Sequence, residues 1–459
     1  MDSGLRQPVA FILARPIENV RAPMLRMIYT LILYIAAPIA FVVLAWRGLR
    51  DPLYRDRRGE RFGFTQARPG APAIWVHAVS VGEVQAAASL VRELRRRYES
   101  MPLIVTTATP TGAQRVKALF GDQVQHAYLP YDLPGAVRRF LDRIQPGIGV
   151  VLETEVWPNL YRECGRRGVP IVLASARLSG KSVRRFRRIG SLFRDALTQD
   201  LTIAAQTELD ADRFRQVGAP PARIHVTGNI KFDIEIDPNV RATGAALRRA
   251  EFFDRFVWVA GSTHDGEEEA VLAAHRQLLG VRKDALLVLV PRHPNRFDRV
   301  RQWLGQQGVS FVCRSRRQTP HEQTQVVLAD TLGELLMLFA AGDVAFVGGS
   351  LVPIGGHNLL EPAALAKPIL TGPHNFNAPD IAKMLLDSGG AVQVASAAEL
   401  AQMLEELSGD PDRRDEIGRA ALAILEKNRG AVTKVIALVE AKLPQVGDAR
   451  ERPPLEVTS

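Results

Sequence analysis

The chain has 459 residues, which is too long for one ordinary hydrophobic core and predicts two or three domains. Its two cysteines, Cys164 and Cys313, lie far apart without metal-ligand spacing, which argues for a reducing compartment and against a disulfide framework. The net charge of +10 favours an anionic partner, which is nucleic acid, membrane phosphate or a phosphorylated substrate. The sequence contains nothing that resembles a nucleic-acid-binding motif, so we expect no nucleic-acid partner.

A segment near the N-terminus, from Met27 to Trp46, contains no charged residue. As a helix it would be about 30 Å long, which is roughly the thickness of the bilayer hydrocarbon. The denser arginine cluster follows the segment, which predicts an uncleaved anchor with the soluble bulk of the chain in the cytoplasm. Pro38 permits a kink or an interfacial helix, so the sequence leaves open whether the segment spans the membrane or lies in its surface. A buried core helix is the third alternative.

From residue 73 onward, short apolar runs alternate with segments of helical period, which predicts doubly wound parallel sheets. The first set of strands is predicted near 73–79, 102–107, 148–152, 169–174 and 201–205. Its helices are predicted near 84–98, 111–119, 134–143, 157–167 and 207–217. The connector from 51 to 72 is rich in Arg, Gly and Pro.

The pattern lapses at Asp237-Pro238-Asn239 and then restarts, which predicts two domains in tandem with a ligand cleft between them. A long helical pattern from Pro411 to Leu443 is expected to pack back across both domains, and the residues after it are expected to form a loose polar tail. The second set of strands is predicted near 256–260, 285–290, 309–313, 326–329, 343–347 and 368–371, with helices near 266–279, 296–307, 331–340, 358–366, 379–387 and 397–407.

The candidate catalytic residue is Glu83, which lies in Ser80-Val-Gly-Glu83 between the first strand and its helix. Open α/β folds bind ligands at this edge of the sheet. The alternative is a capping box, in which Ser80 accepts from the N3 amide and Glu83 reaches back to the Ser80 amide. Gly82 favours a functional role, because glycine weakens the first turn of a helix.

Three turns of the second domain combine glycine or proline with polar residues at strand ends, namely Gly261–Gly266, Pro291–Arg296 and Gly348–Pro362. Free amides at helix starts attract phosphate, so these turns together predict an anionic nucleotide site. The second turn places Arg292 and His293 at the sheet edge. In the third, Asn358 and Glu361 either contact a ligand or form another capping box.

Two further segments are candidates in the first domain, Glu153-Thr-Glu-Val-Trp-Pro-Asn159 and Gly228-Asn-Ile-Lys-Phe-Asp233. Lys231 either neutralises a carboxylate or phosphate or is an ordinary solvated lysine. The basic run from Lys181 to Arg188 is either solvated or binds lipid phosphates. Asp210-Ala-Asp212 has the metal-binding DxD form, and because its carboxylates would face apart on a helix we expect neither a metal nor another cofactor.

At these motifs the sequence resembles the bacterial 3-deoxy-D-manno-octulosonic acid (Kdo) transferases of lipopolysaccharide assembly. The resemblance runs from about Met24 to Lys442 and includes five segments, which are 75–83, 153–159, 228–233, 291–293 and 355–362. It implies an α/β protein of the GT-B class, with two Rossmann-like βα domains facing across a cleft and an N-terminal membrane anchor helix. The implied domains are an extension and anchor (1–50), an acceptor-binding domain (51–235), a CMP-sugar-binding domain (236–443) and a tail (444–459).

The resemblance also implies an activity, which is inverting transfer of Kdo from CMP-Kdo to the lipid A precursor (lipid IVA) at the inner membrane. It assigns Glu83 as the general base, and Glu153 and Lys231 as groups that stabilise the transition state. It assigns binding of CMP-Kdo to a larger set, which is Arg292, His293, Gly333, Glu334, Leu335, Asn358, Leu359, Leu360 and Glu361.

The chain departs from the family pattern at a few positions. Ser175 stands where the family usually has Asn, Pro379 interrupts a later segment, and the residues before Met24 look extra, so either Met1 or Met24 is the expected start. Two alternatives stay open from the residues alone. They are another GT-B nucleotide-sugar transferase or epimerase, and a membrane-tethered lipid-binding protein without catalysis.

Overall fold

The computed structural model describes residues 18–50, 52–66, 72–188, 190–197 and 200–443. The expected polar tail and the part of the N-terminal extension before residue 18 lie outside the described residues. Contacts divide the chain into two compact units, of which the first is Met1–Ile230 with Gly430–Ser459 and the second is Lys231–Arg429. Each unit is built on its own parallel sheet.

The first unit contains seven strands, each formed by a short apolar run. They are β1 (Ala73–His77), β2 (Leu103–Thr107), β3 (Gln125–Tyr128), β4 (Pro146–Leu152), β5 (Ile171–Ala176), β6 (Leu201–Ala205) and β7 (Ile224–Val226). All pairs are parallel, and the order across the sheet is β3-β2-β1-β4-β5-β6-β7. Chain order therefore runs outward in both directions from β1 and β4, and this reversal makes the crevice between their carboxyl ends the expected ligand site of such a sheet.

Within the described residues up to residue 216, nine helices accompany this sheet in chain order. They are α1 (Glu18–Arg50), α2 (Val81–Ala86), α3 (Ala88–Arg97), α4 (Pro110–Phe120), α5 (Pro134–Ile144), α6 (Pro158–Arg166), α7 (Gly180–Arg188), α8 (Gly190–Leu197) and α9 (Glu208–Gln216). Buried side chains pack on both faces of the sheet. On one face Trp75 meets Phe140 edge-on at 5.7 Å between ring centroids, and on the other Ile74 and Val76 belong to a core with Leu90.

The second unit repeats the architecture with another seven parallel strands, in the order β10-β11-β9-β8-β12-β13-β14. They are β8 (Val257–Thr263), β9 (Leu286–Pro291), β10 (Phe311–Cys313), β11 (Val326–Leu328), β12 (Val344–Val347), β13 (Ile369–Thr371) and β14 (Ala391–Gln393). Here the chain order reverses between β8 and β12. Its helices are α10 (Pro238–Leu247), α11 (Glu267–Val281), α12 (Phe297–Gln306), α13 (Leu335–Ala341), α14 (Leu360–Ala364), α15 (Pro379–Asp387), α16 (Ala397–Gly409) and α17 (Pro411–Lys427).

The helical pattern expected from Pro411 to Leu443 is two helices, not one. The chain turns at Gly430, whose φ of 97° lies in the left-handed region that glycine adopts without strain, and α18 (Ala431–Glu440) then begins. Val435 and Ile436 of α18 pack into the core of the first unit. The expected boundaries at 235 and 443 therefore differ from those of the contact-defined units, because the last helix belongs to the first unit.

Several elements were not expected from the sequence pattern. The lapse at 237–239 is the start of α10, where the Asp237 side chain accepts from the Asn239 amide and Pro238 occupies the first turn. The basic run 181–188 is the helix α7. Strands β3, β7 and β14 have three or four residues each, which is too short for a clear alternating pattern.

Candidate functional site

In the first unit, Glu83 and Glu153 lie just after neighbouring strands, Glu83 in the first turn of α2 and Glu153 in a loop. Glu83 follows β1 and Glu153 directly follows β4, and these strands pair with His77 opposite Val151. Both glutamates are partly exposed. The fold therefore places the two carboxylate-bearing segments at the point of strand-order reversal, which sequence periodicity alone does not reveal.

The Glu83 carboxylate is tied to the turn that precedes its own helix. Its Oε2 accepts a hydrogen bond from the backbone N–H of Val79 at 2.5 Å. Ser80 is the N-cap residue in extended conformation, and its side chain makes no capping hydrogen bond. The expected reciprocal capping box with Ser80 is therefore not the arrangement found, although Glu83 does bind backbone at the helix start.

Glu153 has an unusual backbone for a residue with a side chain. Its φ is 57°, in the left-handed region, while its N–H donates to the Ala174 carbonyl at 2.9 Å. Strained conformations of this kind concentrate at functional sites. Nearby, burial and the charge of Glu153 raise the pKa of Glu155 above its ordinary value.

Asn159, at the end of the segment that begins with Glu153, has a structural role. Asn159 donates its backbone N–H to Asp132 at 3.0 Å and its side-chain amide to the Asp132 carbonyl at 2.7 Å. Leu160 donates its N–H to the same carboxylate at 2.8 Å. These bonds fix the start of α6, and the buried Asp132 was not a candidate from the sequence.

His77, at the end of β1, is a buried polar group that the sequence did not single out. Its Nδ1 lies 2.9 Å from Oγ1 and 3.1 Å from the carbonyl oxygen of Thr106. Burial lowers its pKa to about 4, so the ring is neutral at pH 7. Its Nε2 is buried with no hydrogen-bond partner among the described residues.

In the second unit, one buried carboxylate organises the loops on both sides of the strand-order reversal. Glu267, the first residue of α11, accepts from four backbone N–H groups. The donors are His264 at 2.9 Å, Gly349 at 2.6 Å, Ser350 at 3.0 Å and Leu351 at 2.9 Å. Glu267 thereby holds the glycine-rich loop after β12 against the loop after β8.

The neighbouring carboxylate, that of Glu268, fixes a third loop, which follows β9. Glu268 is buried, and it binds Arg296 through Oε1 at 2.8 Å and Oε2 at 2.9 Å. The Thr263 hydroxyl donates to Glu268 at 2.9 Å, and the Arg292 N–H donates to the Thr263 carbonyl at 3.0 Å. The segment Pro291–Arg296 is thus fixed beside the end of β8.

Three histidines and an arginine gather at this edge. The rings of His264 and His357 are stacked with their Nε2 atoms 2.8 Å apart, and the ring centroid of His293 lies 5.2 Å from that of His264. Burial, followed by the nearby Arg292, lowers the pKa of His357 to about 3. The cluster therefore carries Arg292 as a cation beside neutral imidazoles, which suits binding of an anionic ligand.

Comparison with known proteins identifies the family. A family profile described as 3-deoxy-D-manno-octulosonic-acid transferase matches residues 56–234. The 3-deoxy-D-manno-octulosonic acid transferase of Haemophilus influenzae is 41% identical over 92% of this chain and 99% of its own length. The chain belongs to the Kdo transferase family. The corresponding transferase of Bordetella pertussis is 38% identical over 90% of this chain and 99% of that protein.

The expected enzyme class and fold class are both confirmed. Family membership makes the protein a glycosyltransferase that transfers Kdo in lipopolysaccharide biosynthesis. The crystal structure of UDP-GlcNAc 2-epimerase from Neisseria meningitidis is 14% identical, covers 81% of this chain and all of that chain, and has a TM-score of 0.52. At that identity the likeness concerns the GT-B fold, which agrees with the two parallel sheets.

The remaining positions that the Kdo transferase resemblance assigns to the donor are spread over two more loops of the second unit. Glu334 binds Arg314 through both carboxylate oxygens at 3.0 Å, and this pairing lowers the pKa of Glu334. Gly333 has a φ of 85°, and a Cβ there would meet open space. Leu335 begins α13, directly after these residues. This loop follows β11, whereas Arg292 follows β9.

Asn358 and Glu361 lie at the start of α14. The Asn358 amide donates to Glu361 at 3.2 Å, and Asn358 Oδ1 accepts from the Leu360 N–H at 3.1 Å, so Asn358 binds backbone at the helix start and Glu361 contacts its side chain. Leu359 and Leu360 are buried in the hydrophobic core. Their side chains therefore contribute packing, and a ligand contact at these two positions would use their backbone.

Lys231 is the first residue of the second unit and lies in the short turn Ile230–Phe232. The segment before it is held by Ser175, whose Oγ lies 3.4 Å from both the Asn229 Oδ1 and the Ile230 nitrogen. Ser175 has a φ of 53°. Asn adopts this conformation more readily than Ser, which gives a physical reason for the Asn that Kdo transferases usually carry here.

The pair of DxD form has structural roles in α9. Asp210 accepts from the Thr207 hydroxyl at 2.6 Å and from the Leu178 N–H at 3.1 Å, whereas Asp212 binds Arg215 on the surface. Among the residues that the structure describes, no group of three His, Cys, Asp or Glu side chains is arranged to hold a metal ion.

Proposed function

We propose that this Kdo transferase moves Kdo from CMP-Kdo to a hydroxyl group of the lipid A precursor at the cytoplasmic side of the inner membrane. We further propose that Glu83 is the general base. The observation that carries the proposal is the position of Glu83, which is partly exposed beside the β1–β4 reversal where sheets of this type bind ligands.

The chemistry requires one proton acceptor. The acceptor hydroxyl gives its proton to the Glu83 carboxylate while its oxygen attacks the anomeric carbon of Kdo. The bond from that carbon to the CMP phosphate oxygen breaks, and the electron pair leaves with CMP. Attack and departure on opposite faces invert the configuration. The hydrogen bond from the Val79 N–H fixes the orientation of the Glu83 carboxylate.

The transition state carries charge that other groups offset. In this proposal Glu153 and Lys231 stabilise it electrostatically, Glu153 from the loop after β4 and Lys231 from the turn Ile230–Phe232. The strained backbone of Glu153 supports a functional role, because its side chain direction depends on a conformation that the fold must enforce.

The second unit is proposed to bind CMP-Kdo. Arg292 offsets the negative charge that develops on the departing phosphate, and the histidine cluster beside it contributes hydrogen-bonding groups. We propose that His293, Gly333–Leu335 and Asn358–Glu361 complete this site. No metal or other cofactor is part of the proposed mechanism, so a chelator is expected to leave the rate unchanged.

The test is transfer by the purified full-length protein in detergent, with isotope-labelled CMP-Kdo and lipid A precursor. The expected result is a labelled lipid whose mass increases by one or more Kdo residues, which also gives the number added. Stereochemical analysis of the product is expected to show inversion. The proposal fails if CMP-Kdo is consumed without a glycolipid product or if another sugar nucleotide is the preferred donor.

A further inference from the structure

The helix α1 contacts the first unit along one face for most of its length. The less exposed positions between Met24 and Leu49 recur every three or four residues, which places them on one side of a helix. From Arg26 to Gly48 these positions span about 33 Å, at 1.5 Å per residue. The series is Arg26, Tyr29, Thr30, Leu33, Ala37, Ala40, Leu44 and Gly48.

Polar groups of the first unit bind the beginning of this series. The Tyr29 hydroxyl donates to the buried Asp132 at 3.0 Å, and Arg26 pairs with Asp195 of α8 at 3.5 Å. Thr30 exchanges hydrogen bonds with the side chain of Asn159, at 3.2 and 3.3 Å. A carboxylate, an amide and α8 therefore lie directly beside the N-terminal half of α1.

The other end of α1 is held as well. The ring centroids of Phe41 and Phe62 are 6.4 Å apart, and the Arg47 guanidinium lies 5.8 Å from the Tyr54 ring. Arg55 donates its Nε–H to the Gly48 carbonyl at 2.5 Å. The segment that follows α1 thus folds back against it with its own arginine.

A helix held in this way is poorly suited to crossing a bilayer. Asp132, Asn159 and the arginine-bearing segment after residue 50 would have to accompany it into the hydrocarbon, where unsolvated polar and charged groups are strongly unfavourable. Packing along both halves of α1 means that neither half can enter the membrane core without them.

The opposite face of α1 is exposed and almost wholly apolar. A stretch of 18 residues within Met24–Leu49 has a mean hydropathy of 2.4, and a helix of this length and composition is able to enter a membrane. The exposed residues recur at helical spacing along the full length of that segment. They include Met27, Ile28, Leu31, Ile32, Ile35, Ile39, Val42, Trp46 and Leu49.

Basic residues border this apolar face. Arg162 and Arg166 line a groove of about 640 Å³ between α1 and α6, together with Met27, Leu31 and Glu163. Arg166 pairs with Glu163 and Arg162 with Asp195, and both arginine side chains remain partly exposed. The helix α8, which packs against α1, also packs against α7. The exposed side chains of α7 include Lys181, Arg184, Arg185 and Arg187. An apolar stripe bordered by cations is complementary to an anionic lipid surface.

We infer that α1 lies flat in the cytoplasmic surface of an anionic bilayer and does not cross it. Its apolar face enters the boundary between headgroups and acyl chains, while the face that carries Tyr29 and Thr30 stays on the first unit. This inference resolves the alternatives that the sequence left open. It rests on the membrane location given under the proposed function and specifies how α1 is oriented relative to the bilayer.

The first experiment measures the side of the membrane on which the N-terminus lies. A Ser3→Cys variant is expressed in a Gram-negative host and treated with a membrane-impermeant maleimide, with Leu209→Cys on exposed α9 as the marker of the catalytic side. If α1 lies in the membrane plane, neither cysteine reacts in intact spheroplasts and both react in inverted inner-membrane vesicles. Reaction of Ser3→Cys in intact spheroplasts overturns the inference.

The second experiment measures binding to vesicles of phosphatidylethanolamine and phosphatidylglycerol by flotation. The double variant Leu31→Glu, Ile35→Glu is expected to bind about tenfold more weakly or worse, because two apolar side chains lose their burial in lipid. Leu209→Glu is the matched control, an exposed leucine of the same unit on another helix, and is expected to bind like the native chain. Equal binding of the double variant and this control also overturns the inference.

These outcomes are separable from those of the proposed function. Kdo transfer in detergent does not require vesicle binding, so the double variant is expected to retain it with an unchanged thermal melting curve. Absence of transfer by the native chain would contradict the proposed function and leave the topology measurement intact.

Discussion

The buried carboxylate of Glu267 accepts a hydrogen bond from the backbone N–H of Gly349 at 2.6 Å. Glu267 begins the helix after β8, and Gly349 lies in the loop after β12, so this contact joins the two loops at the strand-order reversal of the second unit. Three further backbone N–H groups donate to the same carboxylate. The glycine-rich loop therefore depends on a side chain that is not itself in the loop.

Replacement of Glu267 is expected to disturb donor binding. Glu267→Ala leaves four backbone N–H groups without their acceptor, and we expect a loss of about 2–4 kcal/mol in the free energy of unfolding. In the transfer assay the KM for CMP-Kdo is expected to rise more than kcat falls, because the residue positions the loop. Glu269, two residues further along the same helix and exposed, gives the matched variant Glu269→Ala, for which both parameters should stay native. A native KM in a folded Glu267→Ala protein would contradict the positioning role.

The stability of the second unit is expected to depend on the protonation of His275. The Trp258 Nε1–H donates to the His275 Nδ1 at 3.1 Å. Because Nδ1 is the acceptor, the His275 Nε2 carries the proton and donates it to the Gln325 carbonyl at 2.9 Å. Burial lowers the pKa of His275 to about 4 from an ordinary 6.5. Because the unfolded chain takes up this proton first as the pH falls, the stabilisation is complete above pH 6.5 and decreases by about 3 kcal/mol down to pH 4.

The variant His275→Phe isolates this effect. At pH 7.5 it should be less stable than the native chain, since Trp258 and Gln325 lose their partner. The difference in the free energy of unfolding, measured by urea denaturation, is expected to shrink as the pH approaches 4. A difference that stays constant from pH 7.5 to 4 would rule out His275 as the group responsible.

Much of the fold was predictable because its signals are local. Apolar runs and helical periods located eleven of the fourteen strands, and the third turn of the second unit was recognised from its glycines. The adjacency of β1 and β4 was not predictable, because strand order depends on packing between distant segments. The division of the last helical pattern also depends on a tertiary feature, since Val435 and Ile436 fit the core of the first unit.

The candidate site shows the same division between local and distant information. Arg292 and His293 were identified from a strand end, and the structure places His293 beside His264. Glu267 was missed because acidic residues in the first turn of a helix are common for electrostatic reasons. Its four backbone donors come from two loops, and one of these loops lies about eighty residues further along the chain.

Lys231 is expected to act in the chemical step. Lys231→Ala should lower kcat by about 10²-fold or more through loss of a transition-state charge contact, with the KM for CMP-Kdo changed little. The protein should still fold, because Lys231 lies in a short surface turn where its side chain is partly exposed. Lys283→Ala removes an exposed lysine of the same unit and serves as the control. Unchanged turnover of Lys231→Ala would show that Lys231 takes no part in the chemical step.

Arg292 is expected to bind the donor phosphate. Arg292→Ala should raise the KM for CMP-Kdo about tenfold or more, whereas Arg292→Lys should recover part of the loss because the positive charge returns without the planar guanidinium. The exposed Arg299 lies nearby on α12 and pairs with Asp265, so Arg299→Ala reports the effect of removing a cation from the same surface. Equal effects of Arg292→Ala and Arg299→Ala would contradict a specific contact with the donor.

The central claim is that Glu83 removes the proton from the acceptor hydroxyl, and the variant Glu83→Gln tests it most directly. Glutamine can still accept from the Val79 N–H through its amide oxygen, so the turn before α2 is expected to stay folded. Glu99→Gln, at an exposed position of the same unit, is the matched control.

The decisive measurement is single-turnover transfer of Kdo from CMP-Kdo to lipid A precursor by Glu83→Gln, with thermal unfolding measured on the same preparation. The account predicts native unfolding and a transfer rate lower by about 10²- to 10⁴-fold, as expected for loss of a general base. A folded Glu83→Gln protein that transfers Kdo at the rate of Glu99→Gln would contradict it.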